Sequence, residues 1–275
     1  MENFNKILDF ARETIETELY SLGKLTNFLD KDFALSVQTI LESGGRVVVT
    51  GIGKSAIIAQ KIVATMNSTG TPSLFMHAAD AIHGDLGMIQ PKDVIICISK
   101  SGNTPEIKVL VPLLKREGNP LIAITANRES FLATQANYVL YAYTQKEACP
   151  NNLAPTTSTT AQLVMGDALS VVLMRMKSFG SEDFAKYHPG GALGKRLYLT
   201  VGEAIARNQV PSVAPDTDIR QVIVEISQKM LGVTAVLEGD TIVGVITDGD
   251  IRRMLSRYED IKGLKAKDIM SSHPK

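Results

Sequence analysis

The sequence is poor in aromatic residues and has no excess of charge of either sign. Tryptophan is absent from the 275 residues, and aromatic residues make up 5%. Proteins that bind single-stranded nucleic acid by base stacking need more aromatic side chains than this. Lysine and arginine total 29, as do aspartate and glutamate. The zero formal net charge gives no global attraction to nucleic acid or to an anionic membrane surface.

Long apolar runs and cysteine pairs are also missing. No run of 18 or more apolar residues occurs, and Glu2, Lys6 and Asp9 stand where a signal peptide would be apolar. The sequence therefore predicts neither export nor a membrane span. Cys97 and Cys149 lie far apart, outside any CxxC spacing, which favours a reducing cytoplasm. The 44% of hydrophobic residues is sufficient for a globular core.

The first 200 residues alternate between helical and strand patterns. Residues 3–43 have apolar side chains at helical spacing and predict two helices, the second capped by Asp30 or Asp32. The predicted strands are Arg46–Thr50, Ser73–Met76, Asp93–Ser99, Leu121–Thr125 and Tyr138–Ala142, and the helices among and after them include Ile57–Met66, Pro105–Glu117 and Thr159–Lys177. We therefore predict an α/β fold, a three-layer parallel sheet with helices on both faces, over residues 1–197.

A second pattern begins near residues 197–201, where we place the domain boundary. Residues 201–262 predict a small α+β module. Its predicted elements are helix-like Val201–Ala206, extended Ser212–Ala214, helix Ile219–Met230, strands Ala235–Leu237 and Thr241–Thr247 with a hairpin at 238–240, and a helix from Gly249. Leu199–Ile205 is similar to Leu264–Met270, 65 residues later. We therefore expect residues 263–275 to begin a second copy of the module that continues beyond residue 275.

One glycine-containing turn follows the first predicted strand. Residues 50–56 read TGIGKSA, and a turn that opens a helix favours an anion through free backbone N–H groups. A dinucleotide fold is disfavoured because the second strand ends at His77 without an acidic residue. A P-loop is excluded because Val48 stands where its first glycine would be. Either an anion site or a tight turn with a solvated Lys54 remains.

A second such turn lies between the third strand and the next helix. Ser99, Ser101 and Thr104 bring three hydroxyls together around Gly102, in front of the free N–H groups of a helix. This arrangement is suited to a phosphate monoester. A simple capped turn would explain Thr104 as N-cap and Pro105 at the first helical position, but it would not explain the two serines.

The two turns together resemble the sugar isomerase (SIS) domain. Further segments resemble the D-arabinose 5-phosphate isomerases over residues 40–196: His83–Met88, Lys146–Pro150, Leu153–Ser158, Met165–Ala168 and His188–Gly194. Residues 201–262 resemble a CBS module. In its Gly244–Arg252 segment, Thr247 and Asp250 can offer a hydroxyl and a carboxylate to a ribose.

The resemblance implies an aldose-ketose isomerase. It would interconvert D-arabinose 5-phosphate and D-ribulose 5-phosphate through an enediol and feed Kdo and lipopolysaccharide synthesis, as a cytoplasmic homotetramer that needs no cofactor. The candidate effectors of the CBS module are a nucleotide and a sugar nucleotide such as CMP-Kdo, and the sequence does not decide between them. One alternative is another phosphosugar isomerase, for example of hexulose 6-phosphate. Another is a non-catalytic phosphosugar sensor, but such regulators carry a helix-turn-helix, and the first forty residues have no basic face.

The resemblance also implies the catalytic residues, which are Lys54, Glu106, Glu147 and His188. The reaction needs a histidine or a carboxylate of raised pKa as base. We expect Glu147 or Glu106 to be that base, Lys54 to stabilise the enediolate, and His188 to open the sugar ring or to shuttle protons, in its own chain or from a neighbouring subunit. Without the resemblance, Glu106 would be a helix-face glutamate and Glu147 a loop salt bridge.

Residues that contact the substrate or a metal follow from the same resemblance. The expected substrate contacts are Ser55, Gly70, Thr71, His83, Ser99, Ser101, Gly102 and Thr104. His77 would either hold an inhibitory zinc or cap the end of its strand. Together with His83 and Asp85 it offers too few ligands for a structural zinc site.

Overall fold

The computed structural model describes residues 2–191, 210–272 and 274, and the chain divides into two compact units. The first unit spans Met1–Gly194 and the second Lys195–Lys275. The predicted boundary at 197–201, the predicted helix Val201–Ala206 and the repeat segment Leu199–Ile205 lie outside the described residues.

The first unit alternates strands and helices, as predicted. Its helices are α1 (Glu2–Leu25), α2 (Lys31–Ser43), α3 (Lys54–Ser68), α4 (Ala78–Ala81), α5 (Pro105–Arg116), α6 (Phe131–Gln135), α7 (Thr157–Met176) and α8 (Ser181–Tyr187). Its strands are β1 (Val47–Gly51), β2 (Ser73–His77), β3 (Val94–Ile98), β4 (Leu121–Thr125) and β5 (Tyr138–Tyr141). Short 3₁₀ helices occupy Thr26–Phe28 and Asp85–Met88. Each predicted strand is found within one or two residues of its predicted bounds.

The five strands form one parallel sheet in the order β2-β1-β3-β4-β5. The order reverses at β1, because the chain first adds β2 on one side of it and then β3 on the other. In open parallel sheets a ligand binds in the crevice beyond the carboxyl ends of the strands at such a reversal. The topology therefore places a candidate site between the ends of β1 and β3.

Helices cover both faces of the sheet, which confirms the predicted three-layer α/β fold. Successive side chains of β1 point to opposite faces. Val47 and Val49 pack with α2, α3 and α7, whereas Val48 packs with α4 and α5. Because both faces are buried, the strands can be apolar throughout, as β1 and β3 are.

Local signals explain where the helices begin and end. Asp30, not Asp32, caps α2, since its Oδ1 accepts a hydrogen bond from the backbone of Asp32. Gly44 ends α2 in the left-handed region, at a φ of 64°. The helix α3 starts at Lys54, three residues earlier than predicted, directly after Gly53. None of the helices in the described ranges is long and apolar enough to cross a membrane.

The second unit is a small α+β module with a mixed sheet. It contains β6 (Ser212–Val213), α9 (Ile219–Lys229), β7 (Val233–Glu238), β8 (Thr241–Thr247), α10 (Asp248–Arg257), α11 (Ala266–Ile269) and β9 (Ser271–Ser272). The strand order is β6-β7-β8-β9. The predicted hairpin between β7 and β8 is present and turns at Gly239, whose φ is 60°. Val222, Val236 and Ile246 lie in its core.

Residues 264–272 complete this module. Ala266 is fully buried in the same core as Val236, and Ser271 pairs with Val245 of β8. The role of this segment as the start of a second copy stays a prediction.

Candidate active site

A cleft of about 320 Å³ lies at the carboxyl ends of β1 and β3, where the strand order reverses. Three segments contribute to it: the β1–α3 turn, the β3–α5 turn and the start of α7. The lining residues are Ile52, Lys54, Ser55, Ser99, Lys100, Ser101, Thr104, Pro155, Ser158 and Thr159. A larger depression of about 570 Å³ lies beside Asp30 and Arg128. The smaller cleft is the better candidate because the hydroxyls, the lysines and the helix N-termini meet there.

The cleft is electropositive. The amino termini of α3, α5 and α7 reach it, and each presents backbone N–H groups that have no partner within their own helix. Lys54 is the first residue of α3 and is exposed. A second lysine, Lys100, also lines the cleft. Backbone N–H groups at helix N-termini together with lysine side chains favour an anion such as phosphate.

The predicted cup of hydroxyls is assembled in the β3–α5 turn. Ser99 Oγ accepts a hydrogen bond from the backbone of Gly102 at 3.1 Å, and Ser101 Oγ accepts one from Asn103 at 3.3 Å. Each serine keeps its own proton for a ligand. Thr104 Oγ1 is buried without a partner among the described residues, although Thr104 is the N-cap of α5. A ligand acceptor in the cleft would satisfy it.

Gly102 has the backbone geometry that the cup requires. Its φ is +63°, a conformation that other residues adopt only with strain. A Cβ at this position would lie 2.2 Å from Ser130 Oγ and 2.6 Å from Ser130 Cβ. Only glycine therefore allows the turn to pass so close to the start of α6.

On the other side of the cleft, Ser55 lies one residue into α3. Its hydroxyl donates to Oε1 of the buried Gln162 on α7 at 3.2 Å. This contact fixes the serine between α3 and α7, with lone pairs left to accept a hydrogen bond from a sugar hydroxyl.

Glu147 is buried beside the cleft, and both of its carboxylate oxygens are engaged. Oε1 accepts from Lys100 Nζ at 2.6 Å and from the hydroxyl of Ser158 at 2.5 Å. Oε2 accepts from the backbone N–H groups of Thr156 at 2.9 Å and Ser158 at 3.1 Å. The side chain of Glu147 has no exposed surface.

These contacts decide the charge of Glu147. Burial alone would raise the pKa of this carboxyl, but the hydrogen bonds from Lys100, Ser158 and Thr156 outweigh it and lower the pKa to about 2. A carboxylate base for this reaction needs a raised pKa, and Glu147 has the opposite. The alternative interpretation, a loop salt bridge, describes its contacts.

Glu106 and His83 lie on segments that follow the carboxyl ends of β3 and β2. Glu106 is half-buried in the first turn of α5, and its carboxylate has no hydrogen bond or ion pair within the described ranges. His83 is exposed between α4 and the following 3₁₀ helix. Neither residue is among those that line the cleft of its own chain.

Gly70 and Thr71 lie at the opposite edge of the sheet. They precede β2, so they are at its amino-terminal end, whereas the cleft is at the carboxyl ends of the strands. Five strand residues separate the two edges by about 16 Å. Lys177, at the far end of α7, donates to the carbonyl of Gly70 at 3.0 Å and to Thr71 Oγ1 at 2.9 Å. Gly70 and Thr71 therefore do not line the cleft of their own chain, and their contact with substrate stays a prediction.

His188 follows α8 near the same distant edge. The ring of Phe179 lies so close to Gly70 that a Cβ there would be 2.5 Å from it, and Phe179 stacks on Tyr187. His188 is the next residue. Its ring stacks on Phe184 at 3.8 Å, and its Nδ1 donates to the carbonyl of Phe184 at 2.9 Å. The catalytic residues predicted from the sequence are thus divided between the two edges of the sheet.

His77 does not belong to a zinc-ligand cluster. Its Nδ1 lies 3.5 Å from Asp80 Oδ2 without forming a hydrogen bond. The described part of the chain contains no group of three or more histidine, cysteine, aspartate and glutamate side chains that could hold a metal ion. His77 does end β2 and stands at the N-cap position of α4, though without a side-chain cap bond.

In the second unit, Thr247 and Asp250 bind each other. Asp250 Oδ2 accepts from the hydroxyl of Thr247 at 2.7 Å and from its backbone at 2.9 Å, a capping box at the start of α10. Arg253 donates to the other carboxylate oxygen at 2.6 Å. The two groups expected to meet a ribose are therefore satisfied within the module.

Three polar side chains that line the cleft were not among the site residues predicted from the sequence. Lys100 lies inside the motif but was not singled out, and Ser158 and Thr159 were quoted only as part of longer segments. The available signal was the run of threonine and serine at the predicted start of α7, which is typical of a helix N-terminus that binds an anion.

Comparisons with known proteins agree with this architecture. Residues 40–172 match the SIS domain family and residues 201–257 the CBS domain family. The arabinose 5-phosphate isomerase KdsD of Francisella tularensis is 46% identical over 269 residues, which cover 96% of this chain and 82% of that protein. KdsD of Escherichia coli K12 is 44% identical over 263 residues, 95% of this chain and 80% of that protein.

Solved structures also resemble a large part of the chain. A protein from E. coli CFT073, solved in complex with arabinose 5-phosphate, has 39% sequence identity and a TM-score of 0.65, and the match covers 67% of this chain and 98% of that one. A phosphosugar isomerase described as involved in capsule formation in Bacteroides fragilis has 35% identity and a TM-score of 0.63, and the match covers 67% of this chain and 98% of that one. The sheet, the cleft and these relatives lead to one conclusion: the chain belongs to the arabinose 5-phosphate isomerase family, with a SIS domain followed by a CBS domain.

Proposed function

We propose that the chain interconverts D-arabinose 5-phosphate and D-ribulose 5-phosphate and supplies the synthesis of Kdo and lipopolysaccharide. The observation that carries the proposal is the hydroxyl cup of the β3–α5 turn, which lines the same cleft as Lys54. The relatives named KdsD, 43–46% identical over most of the chain, support the same substrate. The arabinose 5-phosphate bound in the E. coli CFT073 structure also supports it.

The cup binds the phosphate of the sugar. Ser99, Ser101 and Thr104 donate hydroxyl protons, and the N-terminal N–H groups of α5 add backbone donors. The sugar then extends toward Lys54 and Ser55 on the other side of the cleft. Phosphate binding holds the reacting carbons in place.

Glu106 is the better candidate for the base. Isomerisation removes the proton from C2 of the aldose, forms an enediol and returns a proton to C1. Glu147 is held as a carboxylate by at least four donors and has little basicity left, whereas the oxygens of Glu106 are free in the described part of the chain. Lys54 stabilises the negative charge that develops on the enediolate oxygen.

His188 acts in the cleft of a neighbouring subunit. About one strand length, some 16 Å, separates its edge of the sheet from the cleft of its own chain, so opening of the sugar ring by His188 needs a second copy. Gly70 and Thr71, at the same edge, can reach substrate only in that way. Mixing two inactive variants, Glu106→Gln and His188→Ala, should then restore activity in hybrid oligomers, to about a quarter of the sites if pairs exchange at random. No recovery after subunit exchange would contradict this arrangement.

The activity is tested directly with the purified chain. Incubation with arabinose 5-phosphate should yield ribulose 5-phosphate, and in D₂O the product should carry deuterium at C1, because an enediol takes its proton from the base in exchange with solvent. Turnover of a hexulose 6-phosphate but not of arabinose 5-phosphate would indicate a different phosphosugar isomerase. Binding of phosphosugar without turnover would indicate a sensor.

Assembly into a homotetramer is part of the proposal. Large apolar side chains on α1 are exposed in the single chain, among them Phe4 (68%), Ile7 (59%), Ile15 (59%) and Leu19 (59%). Such surface is typical of an interface. Light scattering coupled to gel filtration measures the assembly, and a monomeric mass at assay concentration would contradict it.

Three further expectations complete the proposal. They are a cytoplasmic location, zinc inhibition through His77, and nucleotide or CMP-Kdo binding by the CBS module. The two free cysteines, Cys97 and Cys149, support a reducing compartment. Assays with chelator, with added zinc and with each nucleotide test the other two. Equal rates in all of them would remove both effectors from the proposal.

A further inference from the structure

Lys100, which lines the cleft, is held by a buried carboxylate. It stands between Ser99 and Ser101 in the β3–α5 turn, and its Nζ lies 2.6 Å from Oε1 of Glu147, 47 residues later. The lysine side chain is 42% exposed, whereas that of Glu147 has no exposed surface. The ammonium group therefore has one side fixed to the protein and the other open to the cleft that it lines.

Glu147 is built to hold that ammonium in one place. Besides Lys100, it accepts hydrogen bonds from Thr156 and Ser158 at the start of α7, and its own backbone N–H donates to Asn152 at 2.7 Å. The carboxylate cannot rotate without losing several of these bonds. A long lysine side chain, which is ordinarily free to sample many rotamers, is thus preorganised before a ligand arrives.

Lys100 keeps donors for a ligand. An ammonium group has three N–H donors, and the only hydrogen bond that the described residues give Lys100 Nζ is the one to Glu147. Two donors remain. Its neighbours along the chain supply the serine hydroxyls of the cup, and the amino terminus of α5 begins five residues later. The surroundings of the free donors are those of a phosphate site.

We propose that Lys100 contacts the phosphate of the bound phosphosugar and that Glu147 is a positioning residue that acts through Lys100. This inference rests on the proposed function and adds to it a substrate contact that is separate from the residues that move protons. Lys100 would select dianionic phosphosugars over neutral sugars. Lys54, across the cleft, would remain free to stabilise the enediolate.

The test compares Lys100→Met with Lys108→Met, a matched control that removes an exposed lysine of α5 outside the cleft. Losing one charge-assisted hydrogen bond should raise the KM for arabinose 5-phosphate by about 10-fold or more. The value of kcat should change much less, because phosphate binding is shared by ground state and transition state. Lys100→Arg should recover most of the affinity, and the control should stay within about twofold of wild type.

A double variant and a phosphate-binding measurement distinguish failure of this inference from misfolding of the variant and from failure of the proposed function. The double variant Lys100→Met/Glu147→Gln removes the ammonium without leaving a buried carboxylate unpaired, so it folds even if Lys100→Met does not. Inorganic phosphate binding, followed by NMR or calorimetry, should weaken about 10-fold in either variant. This binding measurement tests the role of Lys100 even if the wild type does not turn over arabinose 5-phosphate. Absence of turnover with weakened phosphate binding in the variants would contradict the proposed function but not the role of Lys100. A KM and a phosphate affinity within twofold of wild type would overturn the inference.

Discussion

Replacing Gly102 with alanine should destabilise the first unit and distort the hydroxyl cup. The residue has a φ of +63°, and the added Cβ would lie 2.2 Å from Ser130 Oγ. Ser130 cannot move aside freely, because its hydroxyl donates to the carbonyl of Asn127 at 2.7 Å and caps α6 by accepting from Ala133. The left-handed conformation costs about 1–2 kcal/mol and overpacking a further 1–3, so the loss should be about 2–5 kcal/mol.

Gly44→Ala is the matched control. Gly44 has nearly the same φ, +64°, but a Cβ there meets nothing within 4 Å, so this variant should show only the conformational cost of about 1–2 kcal/mol. Urea unfolding followed by tyrosine fluorescence measures both variants, since the chain has no tryptophan. The difference between the two losses in the free energy of unfolding is the cost of the clash with Ser130. The double variant Gly102→Ala/Ser130→Gly should recover part of that cost. Equal losses in the two alanine variants would refute the reasoning.

Three other predictions concern stability. The folded pKa of Glu147, about 2, lies below its unfolded value, so the carboxylate contributes about 3 kcal/mol to the free energy of unfolding. This contribution is complete above about pH 4.5 and disappears as the pH falls toward 2. Glu147→Gln should flatten the acid limb of a stability-against-pH curve, and an unchanged limb would contradict this. Gly166→Ala should lower the free energy of unfolding by about 1–3 kcal/mol, since the added Cβ on α7 would lie 2.2 Å from the side chain of Ile62 on α3. An unchanged melting temperature would show that α3 and α7 can move apart without loss of stability. Arg46→Met should cost about 2–3 kcal/mol, because it leaves the buried Asp93 without its 2.7 Å partner; Arg46→Met/Asp93→Asn should regain part of that loss, and no recovery would argue against an unpaired charge as the cause.

The hydroxyl cup could be predicted from the sequence because its geometry is local. Ser99, Ser101, Gly102 and Thr104 lie within six residues, and a strand-to-helix turn with an N-cap and a following proline fixes their backbone. Hydrophobic periodicity likewise located all five strands of the first unit, because each is short, apolar and bounded by turn residues. Local signals are sufficient wherever the structure is set by neighbours along the chain.

The charge state of Glu147 could not be predicted in this way. Its pKa depends on Lys100, 47 residues earlier, and on Ser158, 11 residues later, and on the burial that these segments create together. A sequence shows a glutamate in a loop but not how many donors converge on it. One of the two expected bases proved to be a firmly held anion for that reason.

The sequence by itself determined the order and type of the elements, the two glycine-containing turns that meet at the cleft and the family to which the chain belongs. Only the tertiary structure decided which of the predicted residues share a site. The parallel sheet sends the turns after β1 and β3 to one edge and places Gly70, Thr71 and His188 near the other. The reason is geometric. A strand of five residues spans about 16 Å, so residues close together in the chain can lie at opposite edges of the sheet. Conversely, Lys100 and Glu147 are far apart in the chain but form an ion pair.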